Sequence, residues 1–99
     1  MAVYATDHPF RGIRDVKYQQ MHSERLEELR AMTRQEVQDY VDECAHYYQR
    51  RVGELVAPCM VKCGATPEVM ERDPILYYDN LDRANKMAMD VAYAEFLEL

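Results

Sequence analysis

Thr33-Arg34-Gln35-Glu36 opens the most constrained stretch of this chain. A Thr followed three residues later by Glu is a capping box: the hydroxyl accepts from a backbone N–H while the carboxylate reaches back to the cap. Behind it, Val37, Tyr40, Val41, Cys44, Tyr47, Tyr48, Val52, Leu55 and Val56 recur at helical spacing. That rhythm places them on one face of an α-helix. Asp39, Asp42, Glu43, Gln49, Arg50 and Glu54 fill the polar face. Gly53 costs a helix about 1 kcal/mol and is expected where another backbone comes close. Pro58 is expected to end the run.

Helical signals recur on either side. From Asp15 to about Met32, Tyr18, Met21, Arg25, Leu29 and Met32 follow helical spacing, with Leu26 on the flank. This predicts a helix that packs on one side only. Pro58 to Gly64 suits a short helical segment with Pro in its first turn and Gly at its end. Thr66-Pro67-Glu68 starts another, and Asp73-Pro74 caps a last helix running close to Leu99. Its apolar set is Ile75, Tyr78, Leu81, Ala84, Met87, Ala88, Val91, Ala94 and Leu97, and small residues at 84, 88, 92 and 94 allow a close helix partner. No alternating run with turn signals predicts a strand. Residues 1–14 hold Pro9, Gly12, Tyr4 and Phe10 without a period and read as an extended arm lying on a partner. The expected fold is all-α: an arm over 1–14, then one small helical domain over 15–99. That domain comprises an N-terminal helix and a hairpin of two long helices joined by a short helical connector.

Composition limits what such a fold can do. Leu, Ile, Val and Phe supply only 20 of 99 residues, and the formal net charge is −6. A chain of this size buries about two-thirds of its unfolded surface, so its core is thin. A multidomain enzyme is excluded, and nucleic acid is not the expected ligand, because phosphate neutralisation by basic residues supplies most of that affinity. The only basic dipeptide, Arg50-Arg51, is flanked by Asp42, Glu43 and Glu54. No run is long enough to span a bilayer; Leu55 to Val61 is interrupted by Pro58. The first twenty residues lack the apolar stretch of a secretory signal, and Asp7 and Asp15 argue against a transit peptide.

Catalytic constellations are poorly supplied. Ser23 is the only serine, and Gly12, Gly53 and Gly64 are the only glycines, so neither a nucleophile elbow nor a phosphate loop is present. Cys44 and His46 stand about 200° apart on a helix, so Cys44 points inward, His46 outward, and the two cannot share an ion. Glu43-x-x-His46 is half of a di-iron motif without its other half. No enzyme activity, metal or cofactor is expected. The tyrosines are more informative: Tyr47, Tyr48, Tyr77 and Tyr78, with Tyr4, Phe10 and Tyr18, supply amphipathic contact area for partner subunits.

Three cysteines, Cys44, Cys59 and Cys63, allow one disulfide with a spare thiol, or none. Arg34 to Cys44 and Cys63 to Asp73 are both ten-residue steps. Over residues 34–73 the chain therefore resembles a degenerate member of the twin Cys-x9-Cys coiled-coil-helix proteins of the mitochondrial intermembrane space, with Arg34 and Asp73 replacing the outer cysteines. Read as Tyr40-x-x-x-Cys44 and Cys59-x-x-x-Cys63, it is similar to the twin Cys-x3-Cys small Tim chaperones. The resemblance implies an acidic helical hairpin imported by oxidation, on the intermembrane-space side or peripheral to the inner membrane. It also implies a bridge from Cys44 to Cys59 or Cys63 worth ~3 kcal/mol. The functional expectation is a non-catalytic accessory subunit of a larger assembly, such as a respiratory-chain complex. The alternative is a small acidic regulatory binder, bacterial or phage and cytoplasmic, that blocks or bridges a partner protein.

Overall fold

A computed structural model describes the backbone of residues 9–99 and the side chains of residues 12–99. The elements are α1 (Pro9–Glu24), α2 (Leu26–Ala31), α3 (Arg34–Cys63), α4 (Pro67–Arg72) and α5 (Pro74–Leu97). The described residues are all-α, with no strand. They divide into two compact units, one running through Tyr47 and including Phe96–Leu99, the other spanning Tyr48–Glu95. Of the expected arm, residues 1–8 lie outside the described residues, whereas Pro9–Arg14 are already helical.

Local chemistry sets most of the boundaries. The capping box forms reciprocally: Glu36 N–H donates to Thr33 Oγ1 at 3.1 Å, and Thr33 N–H donates to Glu36 Oε1 at 2.7 Å. Thr66 Oγ1 accepts from Val69 N–H at 3.4 Å to cap α4, and Asp73 Oδ1 accepts from Leu76 N–H at 3.1 Å to cap α5. These side chains satisfy amide groups that the first helical turn leaves without partners. The helix expected over 15–32 is instead two, broken at Arg25, whose backbone turns to φ −134° and ψ 43°. The Arg25 guanidinium there bonds Glu28, the Tyr40 hydroxyl at 3.1 Å and the main-chain oxygen of Leu99 at 2.9 Å.

Pro58 does not end the long helix. α3 continues through it to Cys63, although proline removes the bond to the Glu54 carbonyl and costs roughly 3 kcal/mol inside a helix. Packing offsets that cost. Cys59, one residue beyond the proline, is buried with Ala84 and Ala88 of α5, and Val52, Leu55, Val56, Met60 and Cys63 pack against the cluster. α3 stops at Gly64 in a Schellman arrangement: Ala65 N–H donates to Met60 O at 2.8 Å and Gly64 N–H to Val61 O at 3.3 Å. Gly64 takes φ +83°, a left-handed conformation that glycine adopts without strain. Asn80 of α5 is buried over this turn and donates from Nδ2 to Gly64 O at 3.0 Å. Gly53 is different: a Cβ added there would meet nothing within 4 Å, so no backbone approaches it.

The buried face of α5 is rotated from expectation. Asn80, Ala84, Ala88 and Ala92 are buried in the Tyr48–Glu95 unit, and Phe96 is buried in the other. These positions follow one i, i+4 ridge. Small side chains on a ridge let two helices approach closely, so packing selects the alanines and turns Ile75, Tyr78, Met87 and Val91 outward. In α1 the buried line is Ile13, Lys17 and Met21, while Tyr18, expected on the apolar stripe and as a partner contact, is exposed.

Candidate partner interface

The unit containing α1, α2 and the start of α3 is organised around the end of α5. The last carbonyls of a helix have no partner within it, and cations there suit the helix dipole. Lys17 is 0% exposed. Its Nζ donates to Phe96 O at 2.8 Å, to Leu99 O at 3.4 Å and to Gln20 Oε1 at 2.6 Å, and it lies 4.7 Å from the Phe96 ring centroid. Gln20 Nε2 donates to Leu97 O at 2.8 Å, and Arg25 adds its bond to Leu99 O. Burial pushes the Lys17 amine below its ordinary pKa, with the Cys44 thiol and Glu24 opposing the shift and Arg25 adding to it.

Cys44 is buried beside this cluster. Burial pushes its thiol up, against a hydrogen bond with Tyr40 and the charge of Lys17. A raised thiol is mostly protonated at neutral pH and is a poor nucleophile. His46 faces outward, with Nδ1 2.7 Å from its own helix's Asp42 oxygen, so the adjacent Cys–His pair diverges as its spacing predicts. Among the described residues no group of three or more His, Cys, Asp or Glu is placed to hold a metal, so Glu43 and His46 gain no further ligand.

An open groove of about 750 Å³ lies in the same unit, lined by Arg14, Asp15 and Tyr18 of α1, Leu29 of α2, and Arg34, Val37, Gln38, Val41 and Asp42 of α3. Its charges largely balance: Arg14 Nε pairs with Asp42 Oδ1 at 2.9 Å, and Arg34 and Asp15 complete an equal count of each sign. Tyr18 brings its exposed ring to the rim.

The other unit presents the larger apolar surface. Its interior is built mainly from alanines and Cys59. Around the turn, Val61 of α3 is 74% exposed, Ile75 of α5 is 77% exposed and Tyr78 is 54% exposed, with Met70 and Leu76 also outward. Tyr77 and Tyr78 stand edge to face with ring centroids 5.1 Å apart. Farther along, Tyr48 and Tyr93 meet edge to face at 6.5 Å. Burial, Asp90 and Tyr93 together raise the Tyr48 pKa. Arg51 grips Glu95 with two bonds, at 2.7 and 3.1 Å, and Glu54 with a third.

The residues expected to contact partners therefore separate. Tyr18 and Tyr78 are exposed, Tyr47, Tyr48 and Tyr77 are half-buried, and Tyr4 and the Phe10 side chain lie outside the described residues. Val61 and Ile75 were not expected at the surface. The one sequence signal for Ile75 was the i, i+4 spacing of small residues on α5, which competes with the larger apolar residues for the inner face; Val61, on α3, had none.

The structure contains no disulfide among the three cysteines. Cys44, Cys59 and Cys63 are all free thiols, and all three lie on α3 rather than on two helices. Fifteen residues of helical rise put roughly 22 Å between Cys44 and Cys59 along the axis, whereas a disulfide requires Cα atoms within about 7 Å. No helix among the described residues is long and apolar enough to cross a membrane. Neither a scan of protein-family models nor searches of curated proteins and of solved structures return a match to this chain.

Proposed function

We propose that this chain is a non-catalytic subunit of a larger protein assembly, docking through the apolar side chains around the turn between α3 and α5. One observation carries the reading. The Tyr48–Glu95 unit buries alanines while leaving Val61, Ile75 and Tyr78 more than half exposed. A unit short of strong apolar residues that leaves Val61, Ile75 and Tyr78 outward has reserved them for another surface. Tyr and Met are residue types enriched at interfaces, and α4 and the start of α5 supply Met70, Tyr77 and Tyr78 there. The narrower role, an accessory subunit of a mitochondrial respiratory-chain complex, rests on the cysteine spacing alone. The regulatory-binder reading uses the same surface and differs in giving transient rather than constitutive association.

A photo-crosslinking residue at position 75, introduced in the native host, tests the proposal. The expected result is one dominant protein adduct, recovered at near-stoichiometric yield and lost in Tyr78→Ser. Adducts scattered over abundant proteins, or an adduct indifferent to Tyr78→Ser in a folded variant, overturn it.

A further inference from the structure

Cys59, Met60 and Cys63 place three sulfur atoms in the last turn of α3. At 100° per residue they fall within an arc of about 100°, with Cys63 between the other two. Residues three and four apart on a helix are surface neighbours, with Cβ atoms about 5–6 Å apart. All three side chains belong to one cluster: Cys59 is buried with Ala84 and Ala88, and Met60 and Cys63 pack against it. Both cysteines are free. Cys63 is only half-buried, which leaves a path for an ion from solvent, while Cys59 sits on the dry side.

We propose that Cys59, Met60 and Cys63 form a binding site for a soft monovalent cation, copper(I). The donor set decides the metal class. Thiolate and thioether sulfur select copper(I) over hard oxygen-seeking cations. Zinc needs four ligands, usually with nitrogen or further thiolates, and no third His, Cys, Asp or Glu joins the pair among the described residues. A two-thiolate, one-thioether set satisfies an ion content with two or three ligands. On binding, each cysteine gives one proton to solvent and forms one Cu–S bond; the Met60 thioether donates a lone pair without losing a proton, and nothing is oxidised or reduced.

Anaerobic titration of the reduced full-length chain with copper(I), in competition with a chromogenic copper(I) chelator, tests the site. The expected result is one copper per chain, with a sulfur-only first shell by X-ray absorption. Cys63→Ser should weaken affinity by more than about 100-fold, beyond the cost of losing an outer-shell partner. Met60→Leu, which preserves volume, should reduce the number of sulfur neighbours from three to two, and Cys44→Ala should bind as the parent does. Circular dichroism melting of each variant separates ligand loss from unfolding. Failure to compete for copper(I), binding unchanged in folded Cys63→Ser, dependence on Cys44, or zinc bound as tightly at one per chain would each overturn the assignment.

Discussion

Lys17 Nζ lies 2.8 Å from the main-chain oxygen of Phe96, a residue 79 positions later, and 4.7 Å from the centroid of the same residue's ring. One buried amine thus supplies a helix-terminal carbonyl with its missing donor while its charge rests on an aromatic face. Lys17→Met keeps much of the stem volume and removes the donor. The expected loss is about 1–3 kcal/mol, the cost of leaving buried acceptors unsatisfied, read as a lower midpoint in urea unfolding. An unchanged midpoint would show that the bonds contribute nothing net.

Alkaline pH separates Lys17 from Cys44. Burial lowers the Lys17 pKa from 10.5. Between that lowered value and 10.5 the unfolded chain binds more protons, so this group's contribution to stability rises with pH. Burial raises the Cys44 pKa from 9.0. From 9.0 up to the raised value the folded state keeps a proton the unfolded chain releases, so that contribution falls with pH. Stability profiles of wild type minus Lys17→Met should therefore climb with pH below 10.5, and wild type minus Cys44→Ala should decline above 9.0. Slopes of the same sign would contradict burial as the dominant cause.

Gly53, inside α3, and Gly64, just past its end, respond oppositely to alanine. At Gly64, φ is +83° and a Cβ would stand 3.2 Å from Asn80 Nδ2, so Gly64→Ala is destabilising; the left-handed backbone alone costs about 1–2 kcal/mol. At Gly53 an added Cβ meets open space, so Gly53→Ala should stabilise by roughly 0.5–1 kcal/mol through helix propensity. Thermal unfolding of both variants checks the pair of signs.

Pro58 is tolerated because Cys59 is packed beyond it, not because the helix accommodates it. Pro58→Ala restores a backbone donor toward Glu54 and should raise stability by about 1–3 kcal/mol, somewhat below the full propensity difference because proline also stiffens the unfolded chain. A decrease in unfolding midpoint would mean that a proline-specific bend in α3 is required by the packing around Cys59.

Free thiols carry a direct mass signature. In the folded, non-reduced protein Cys63 should alkylate first, with Cys44 and Cys59 protected by burial. Denaturation without reductant should then expose all three. A species two mass units lighter, with only one reactive thiol and with Cys44 in the bridged peptide, would restore the expected disulfide.

The sequence alone was sufficient for the elements with local causes. Thr33, Thr66 and Asp73 cap helices with their own side chains, and Gly64 ends α3 through its backbone freedom, so no distant residue is needed to read them. The inner face of α3 was equally legible, since Val41 and Cys44 are buried and none of its other apolar positions from Val37 to Val56 is fully exposed. α5 was not legible, because it carries two rival inner faces: one of bulky residues including Ile75, Tyr78, Met87 and Val91, and one of alanines on an i, i+4 ridge. Only contact with α3 chooses between them, since close helix approach favours the alanines however hydrophobic the alternative. The same holds for Lys17, an ordinary polar residue in the sequence until the end of α5 brings carbonyl oxygens to it. Continuation through Pro58 likewise depends on Cys59 finding Ala84 and Ala88. Local chemistry determined the capped starts at Thr33, Thr66 and Asp73 and the stop at Gly64; long-range packing decided whether α3 continued through Pro58 and which side of each helix is inside, and hence which residues are left for a partner.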